Sequence, residues 1–219
     1  MSSIVIFGAG DIARLAHFYF STDSTHRVVA FAVDADYRTG DSFQDLPLVP
    51  FERVTELYPP ASHRMFVALS YANMNRSRAH KYGEAKALGY ELVSYVSSRC
   101  SFLSQHPHGD NCFILEDNTI QPFVRIGSNV TLWSGNHIGH DSTVGDHCFI
   151  SSHVVVSGHC TIGSHCFLGV NATLRNGIAL GDATLVGAGA LIMKDTPPRS
   201  VWVPDRTRKF SKTSDQLDL

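Results

Sequence analysis

Stepping by six from Ile114 gives Ile120, Ile126, Leu132, Ile138, Val144, Ile150, Val156, Ile162, Leu168, Leu174, Leu180, Val186 and Ile192. Every residue in that series is aliphatic, and the phase never breaks. Apolar residues recur at three and four in a helix and at two in an ordinary strand, so this is neither. One buried aliphatic per six residues is the mark of a parallel β-helix, in which each hexad is a short strand plus a turn. Three hexads complete a triangular coil, so residues eighteen apart stack at about 4.8 Å, the spacing of paired strands. A slip of one residue would turn the whole column outward, which fixes the register. The next position is often glycine, as at Gly127, Gly139, Gly145, Gly163, Gly169, Gly181 and Gly187. The fifth position is compact and takes Cys148, Cys160 and Cys166 among others. The period does not fix the hand of the coil, and parallel crossovers are normally right-handed.

The region before the repeat has a different grammar. "IVIFGAGDIARLAHFYF" reads as strand, glycine turn and helix, and "RVVAFAVD" as a second strand ending at Asp34. "MFVAL" reads as a buried strand, "NRSRAHKYGEAKALGY" as a helix and "ELVSYV" as a last strand. Alternating strand and helix implies a parallel sheet. The turn Gly8-Ala9-Gly10-Asp11-Ile12-Ala13 fits G-x-G-x-x-A, and Asp34 follows about twenty residues on, as in dinucleotide folds. Such a turn lets backbone approach a phosphate at a helix N-terminus; it also serves as a plain strand–helix turn. Residues 1–97 are short for a complete dinucleotide fold, so a half-fold holding a nucleotide-linked substrate is the better reading. The expected division is 1–97, an α/β Rossmann-like domain, and 98–219, the coil with a C-terminal loop.

Composition narrows the function classes. The formal net charge of −2 gives no field that points to nucleic acid or an anionic membrane. No apolar run approaches the roughly 20 residues that span a bilayer. "MSSIVIFGAG" lacks the features of a signal peptide. The five cysteines form no CxxC pair, which suits reduced thiols in a cytoplasmic protein and disfavours a zinc cluster.

Histidines crowd the coil: His137, His140, His147, His153, His159 and His165. His147, His153, His159 and His165 share the fourth hexad position on successive faces, so among them only His147 and His165 stack. Interface or surface imidazoles explain them adequately. His140 stands in the third position with Asp141 beside it. An imidazole is suited to take a proton near neutrality, and a carboxylate in contact fixes its tautomer.

"IGSNVT", "IGSHCF" and "VGAGAL" are similar to the hexapeptide motif of left-handed β-helix acyltransferases, an aliphatic residue followed by glycine and four variable residues. With "GAGDIA", Asp34, "ALSYANMNRSRAHKY" and "GHDSTVG", nearly the whole chain resembles the NeuD/PglD-type sugar acyltransferases. The resemblance implies a left-handed coil, a homotrimer and acetyl-CoA lying in a groove between neighbours, with no metal. It implies His140 as general base with Asp141 beside it. A nucleotide-linked sugar would meet Gly8, Gly10, Asp11, Asp34, Asn73, Asn75, Arg76 and His137. The cofactor would meet Gly158, Val170, Ala188, Lys194 and Arg206, with Arg208 and Lys209 as further basic residues near its phosphates. N-acylation of an amino sugar is the leading expectation and O-acylation of a sugar or sialic acid the alternative. A backbone N–H near Gly158 is expected to face the oxyanion. Trp133 and Phe149 stand where related enzymes can carry polar residues near acceptor or CoA. "VWVPDRTRK" resembles the family's closing G-x-P-A-K loop, with Val and Asp replacing Gly and Ala.

Three rivals predict different things. A γ-class carbonic anhydrase needs three histidines converging on zinc at about 2.0–2.1 Å. A dehydrogenase would use the glycine turn and leave the coil without a purpose. A non-enzymatic scaffold would be indifferent to loss of His140.

Overall fold

The computed structural model describes residues 2–205 and 207–216. The N-terminal sheet contains β1 (Ser3–Phe7), β2 (Arg27–Val33), β3 (Ser42–Phe43), β4 (Leu46–Pro50) and β5 (His63–Val67) in the order β3-β4-β2-β1-β5. Its pairs are parallel except β3–β4. Helices α1 (Asp11–Thr22), α2 (Val54–Leu57) and α3 (Arg76–Ala87) complete it. Ile4, Val5 and Ile6 are wholly buried, as a strand covered on both faces requires. Helix α1 seats Ala13, Ala16 and Phe20 against the sheet, spaced by three and four along one helical stripe. The β3–β4 hairpin was not apparent from the sequence. Its turn places Gln44 and Asp45 at φ 50° and 60°, a conformation usually signalled by glycine.

The expected strand in "ELVSYV" falls elsewhere. Leu92 makes only an isolated bridge to Met65, while β6 (Tyr95–Val96) pairs with Phe113–Ile114. The coil's ladders thus begin at Tyr95, three residues ahead of residue 98, where the sequence reading starts the coil.

From there the chain winds in three parallel sheets. Face one stacks β6 and the strands at 113–114, 131–132, 149–150, 167–168, 185–186 and 201–202. Face two stacks those at 101–102, 119–120, 137–138, 155–156, 173–174 and 191–192, and face three those at 125–126, 143–144, 161–162 and 179–180. Neighbouring hexad strands pair at a spacing of eighteen, as Thr131 does with Phe149. All fourteen aliphatics of the six-residue series are buried. The glycines beside them answer a close approach: a Cβ on Gly139 would lie 2.5 Å from the Gly158 nitrogen one coil on. Cys112, Cys148, Cys160 and Cys166 share the compact column as free thiols, and Cys148 donates from Sγ to the Gly163 carbonyl at 3.0 Å.

The histidine column has a backbone cause. The fourth hexad position turns each corner in the left-handed region, with φ of 57–63° at Asp117, Asn129, Asp141, His147, His153, His159, His165 and Asn171. Asn, Asp and His are the side chains that best tolerate this conformation. Four histidines therefore recur there because the corner admits them.

Face one carries the N-terminal domain. Phe113, Leu115 and Tyr95 belong to the same cluster as Phe20, Phe31 and Phe66. Helix α3 lies against the corner between faces three and one. Arg78, 1% exposed, donates from Nη1 to Thr131 Oγ1 at 2.6 Å and from Nη2 to the His147 and Cys148 carbonyls at 3.0 and 3.1 Å. Burial pushes its guanidinium down to about 10. Trp133 and Phe149 are also absorbed here. Trp133 packs on the shared core, and Phe149 stacks on Phe167 with the Arg78 guanidinium over its ring. Their place in the structure is therefore the domain junction.

An amide ladder ends at His147. Asn111 Nδ2 donates to Asn129 Oδ1 at 2.8 Å, and Asn129 Nδ2 donates to His147 Nδ1 at 2.9 Å. Accepting that bond requires a bare Nδ1. Burial, and then the adjacent His165, push the His147 ring down to about 4. Arg78 also disfavours its charge, while Asp146 and Asp110 favour it. In the unfolded chain the ring titrates at its ordinary 6.5 and binds the proton more readily. Stability from the neutral ring is complete above about pH 6.5 and is lost as the pH falls toward about 4. His147→Asn keeps the left-handed corner and removes the titration. Its melting temperature is expected to fall less than the wild type's between about pH 7 and pH 4.5.

Candidate active site

The candidate residues gather in two separate places. The first is a cavity of about 770 Å³ at the C-terminal ends of β1 and β2, lined by residues of the N-terminal domain alone. Gly8, Ala9 and Gly10 form one wall at the start of α1; Asp34, Asp36, Tyr37, Ser77, His80, Lys81 and Glu84 form the other. Gly8 has φ 127°, and a Cβ there would meet the Ala68 carbonyl at 2.7 Å, so glycine is required. Lys81 is 8% exposed and bonds Asp34 Oδ1 and Glu84 Oε2, both at 2.6 Å. Its ammonium also lies over the rings of Phe7 and Phe51. Burial opposes the charge, but the two carboxylates outweigh it and hold the group above its ordinary value.

Gly8, Gly10 and Asp34 line this cavity, as the sequence suggested. Asp11 does not; it pairs with Arg14 at 3.1 Å on the outside of α1. Exposed Asn73 and Arg76 lie outside the lining, and Asn75 is wholly buried. Asn75 donates from Nδ2 to the His165 and Cys166 carbonyls at 3.2 and 3.1 Å and accepts from Arg78. It ties the domains together and faces no cavity. Lys81, Glu84, His80 and Tyr37 had no sequence signal, since their approach to Asp34 is tertiary.

The second place is the coil corner between faces two and three, on the edge opposite face one. His140 and Asp141 turn this corner, and His140 Nδ1 meets Asp141 Oδ2 at 2.8 Å with the ring side chain 49% exposed. The left-handed φ of 57° at Asp141 brings the carboxylate back to its neighbour. Donation from Nδ1 to that carboxylate leaves Nε2 with its lone pair free. The Gln121 side chain accepts from the His140 backbone N–H at 2.9 Å, and the His140 carbonyl accepts from His159 N–H at 2.8 Å. The His159 ring stands edge-on to that of His140, 4.8 Å between centroids.

One coil on, Gly158 leaves room for the imidazole. A Cβ there would lie 2.8 Å from His140 Nε2 and 2.9 Å from Cε1. Among the described residues, the Gly158 N–H has no protein acceptor. Gly158 and Lys194 share the corner column of His140, at intervals of eighteen. Val170 and Ala188 stand, both exposed, on the corner between faces one and two, so the expected cofactor residues do not converge on one protomer. His137 is half-buried on face two between Thr119 and Val155. Arg206 lies outside the described residues. His153 sits on the corner with Val170, apart from His159, so among the described residues those two histidines do not converge on one point. His140, Asp141 and His159 do offer ligand atoms within 4.8 Å of one another, but the carboxylate is engaged by the ring Nδ1.

The repeat matches two family models, "Bacterial transferase hexapeptide (six repeats)" over residues 123–158 and "Hexapeptide repeat of succinyl-transferase" over 160–194. The coil is a left-handed parallel β-helix following a Rossmann-like domain. No curated protein sequence matches the chain. Among solved structures, it is similar to the acetyltransferase domain of PglB from Neisseria gonorrhoeae FA1090, at 19% identity, TM-score 0.79, and 93% and 97% coverage of the two chains. It is similar to perosamine N-acetyltransferase from Caulobacter crescentus, at 22% identity, TM-score 0.81, and 93% and 94% coverage. That protein was crystallised with CoA and GDP-perosamine and with a histidine replaced by asparagine or by alanine. WeeI from Acinetobacter baumannii AYE matches at 18% identity, TM-score 0.76, and 92% and 96% coverage. Among the described residues, no helix is long and apolar enough to cross a membrane.

Proposed function

We propose that this protein is an acetyl-CoA-dependent N-acetyltransferase acting on the amino group of a nucleotide-linked amino sugar. The observation that carries the reading is the His140–Asp141 pair, with Nε2 poised over a bare glycine step. The acceptor amine attacks the thioester carbonyl as the neutral base. His140 Nε2 takes its proton as the tetrahedral intermediate forms, and Asp141 holds the tautomer and stabilises the imidazolium. The Gly158 N–H faces the developing oxyanion. Collapse expels the CoA sulfur, which leaves with the proton from His140. No covalent acyl-enzyme is needed.

The nucleotide occupies the N-terminal cavity, its diphosphate against the Gly8–Gly10 turn and the start of α1. That cavity and His140 lie on opposite sides of the coil of one protomer. A complete site therefore takes His140 from one chain and the cavity from a neighbour, as a homotrimer provides. CoA runs along the coil past Lys194 of one protomer and Val170 and Ala188 of the next. In the Caulobacter relative, CoA and GDP-perosamine are both present when a histidine is alanine. By analogy, loss of His140 here spares binding and lowers turnover. Release of free thiol from acetyl-CoA in the presence of nucleotide-linked amino sugars tests the reading.

A further inference from the structure

The acidic wall of the N-terminal cavity raises a question of charge. Asp34, Asp36 and Glu84 line a space whose other wall, the Gly8–Gly10 turn at the start of α1, suits a phosphate. Carboxylates and a diphosphate repel at close range, so the acidic wall must meet a part of the ligand that donates hydrogen bonds. Position identifies that part. Strands β1 and β2 are neighbours, and the Gly8 N–H donates to the Ala32 carbonyl at 2.8 Å where the turn begins. Asp34 follows Ala32 closely in the chain, which keeps their Cα atoms within about 7 Å. In a nucleotide the ribose is bonded to the phosphates, and the base lies beyond it. With the phosphates on the turn, the ribose is the first group to reach the end of β2.

Asp34 is fixed to meet it. Lys81 Nζ bonds Asp34 Oδ1 at 2.6 Å and is held in turn by Glu84 at 2.6 Å. Its ammonium lies 4.9 and 4.6 Å from the ring centres of Phe7 and Phe51. The backbone N–H groups close by are engaged: Ala35 donates to Glu52 Oε1 at 3.1 Å and Tyr37 to the Asp34 carbonyl at 2.9 Å. Among the described residues, Asp34 Oδ2 accepts no hydrogen bond. A carboxylate in an ion pair only accepts, whichever way it turns, so this oxygen requires a donor.

We infer that this cavity selects a ribonucleotide over its 2′-deoxy counterpart, with Asp34 Oδ2 accepting from the ribose 2′-hydroxyl and Lys81 as the positioning residue that aims it. The assignment rests on the reading above that the cavity holds the nucleotide. An acidic residue at the end of the second strand stands where the ribose of a nucleotide lies in a sheet of this kind. Lys81 adds what a lone carboxylate lacks. It fixes one oxygen, which gives the other a direction, and it offsets negative charge beside the diphosphate. A site that places an acceptor for a hydroxyl rejects the analogue without it, because the acceptor is left unpaired.

Calorimetric titration of the full-length protein tests this without acetyl transfer. The probes are the diphosphates of uridine, guanosine, cytidine and adenosine, the 2′-deoxy form of each, and thymidine diphosphate. The ribonucleotide that binds most tightly is expected to lose at least about tenfold in affinity in its 2′-deoxy form, the loss of one hydrogen bond to a charged acceptor. Asp34→Ala brings the two forms to equal affinity and leaves the protein folded, since Lys81 keeps Glu84. Lys81→Met keeps the side-chain stem on Phe7 and Phe51; it weakens both forms and shrinks the ratio between them. A lysine that only supported the fold would weaken both forms and leave the ratio at the wild-type value, which overturns the role given to Lys81. Should Lys81→Met fail to fold, the Asp34→Ala ratio decides. Equal affinities in the wild type, a preference for a 2′-deoxynucleotide, or a ribose preference that survives Asp34→Ala overturns the assignment and leaves the nucleotide in its cavity. Binding of none of these diphosphates overturns the nucleotide reading of the cavity, and this assignment with it.

Discussion

Replacing His140 with alanine is expected to lower kcat for acetyl transfer by about 10²–10⁴-fold, the range that a positioned general base contributes. The fold has no stake in this side chain. It is half exposed, its Nε2 has no protein partner among the described residues, and the corner's left-handed turn is made by Asp141 rather than by His140. Melting temperature and oligomeric state should therefore match the wild type, and KM for either substrate should move by less than about threefold, since uniform binding is untouched. His140→Asn keeps a polar side chain without a basic nitrogen and should fall as far. Retained turnover in both variants would mean that the proton leaves by another route, and the Asp141 contact would be incidental.

Gly158→Ala is the second large effect, and it separates geometry from chemistry. Every catalytic group remains in this variant. Gly158 is not in the left-handed region, so the backbone accepts alanine without strain. The nearest atoms to the new methyl are the far ends of side chains, His140 Nε2 and Cε1 at 2.8 and 2.9 Å and Asn176 Oδ1 at 3.2 Å. These swing aside at little cost, so stability should change by less than about 1 kcal/mol, as at other sites away from core, cap or strain. The imidazole, however, leaves its place over Gly158. Displacement of a reacting group by about 1 Å costs on the order of 10²-fold in rate, and kcat should fall by about that much. Gly139→Ala is the contrasting variant, because its Cβ would run into the Gly158 backbone itself at 2.5 Å. It should lose the coil as well as the activity. Full turnover in Gly158→Ala, measured beside an unchanged melting curve, would remove the bare glycine from the account.

The coil was legible residue by residue, because each hexad repeats one local decision: a buried aliphatic, a close approach for glycine, a compact fifth side chain. The stacking of His147 with His165 followed from counting eighteens, whereas for His140 and Asp141 the sequence showed adjacency and not contact. The meaning of the histidine column lay in φ, which the sequence shows only as a tolerance for Asn, Asp and His. The N-terminal cavity was half legible. Its glycine turn and Asp34 are local signals, whereas Lys81 reaches Asp34 from a helix 47 residues on. Asn75, Trp133 and Phe149 were misplaced for one reason: the docking of the domain on face one is a tertiary fact. A polar or aromatic residue at such a junction has the same composition signature as one in a ligand site.

In the proposed reaction the imidazole at one coil edge takes a proton from a sugar nitrogen as that nitrogen accepts an acetyl group directly from CoA. Free-thiol release from acetyl-CoA, followed with a panel of nucleotide-linked amino sugars and with their hydroxyl counterparts, tests it most directly. The account predicts release that requires an amino sugar, yields the N-acetylated product, and disappears in His140→Ala while the oligomeric state of the wild type persists. Release that is absent with every amino sugar, or that continues undiminished without His140, would contradict it.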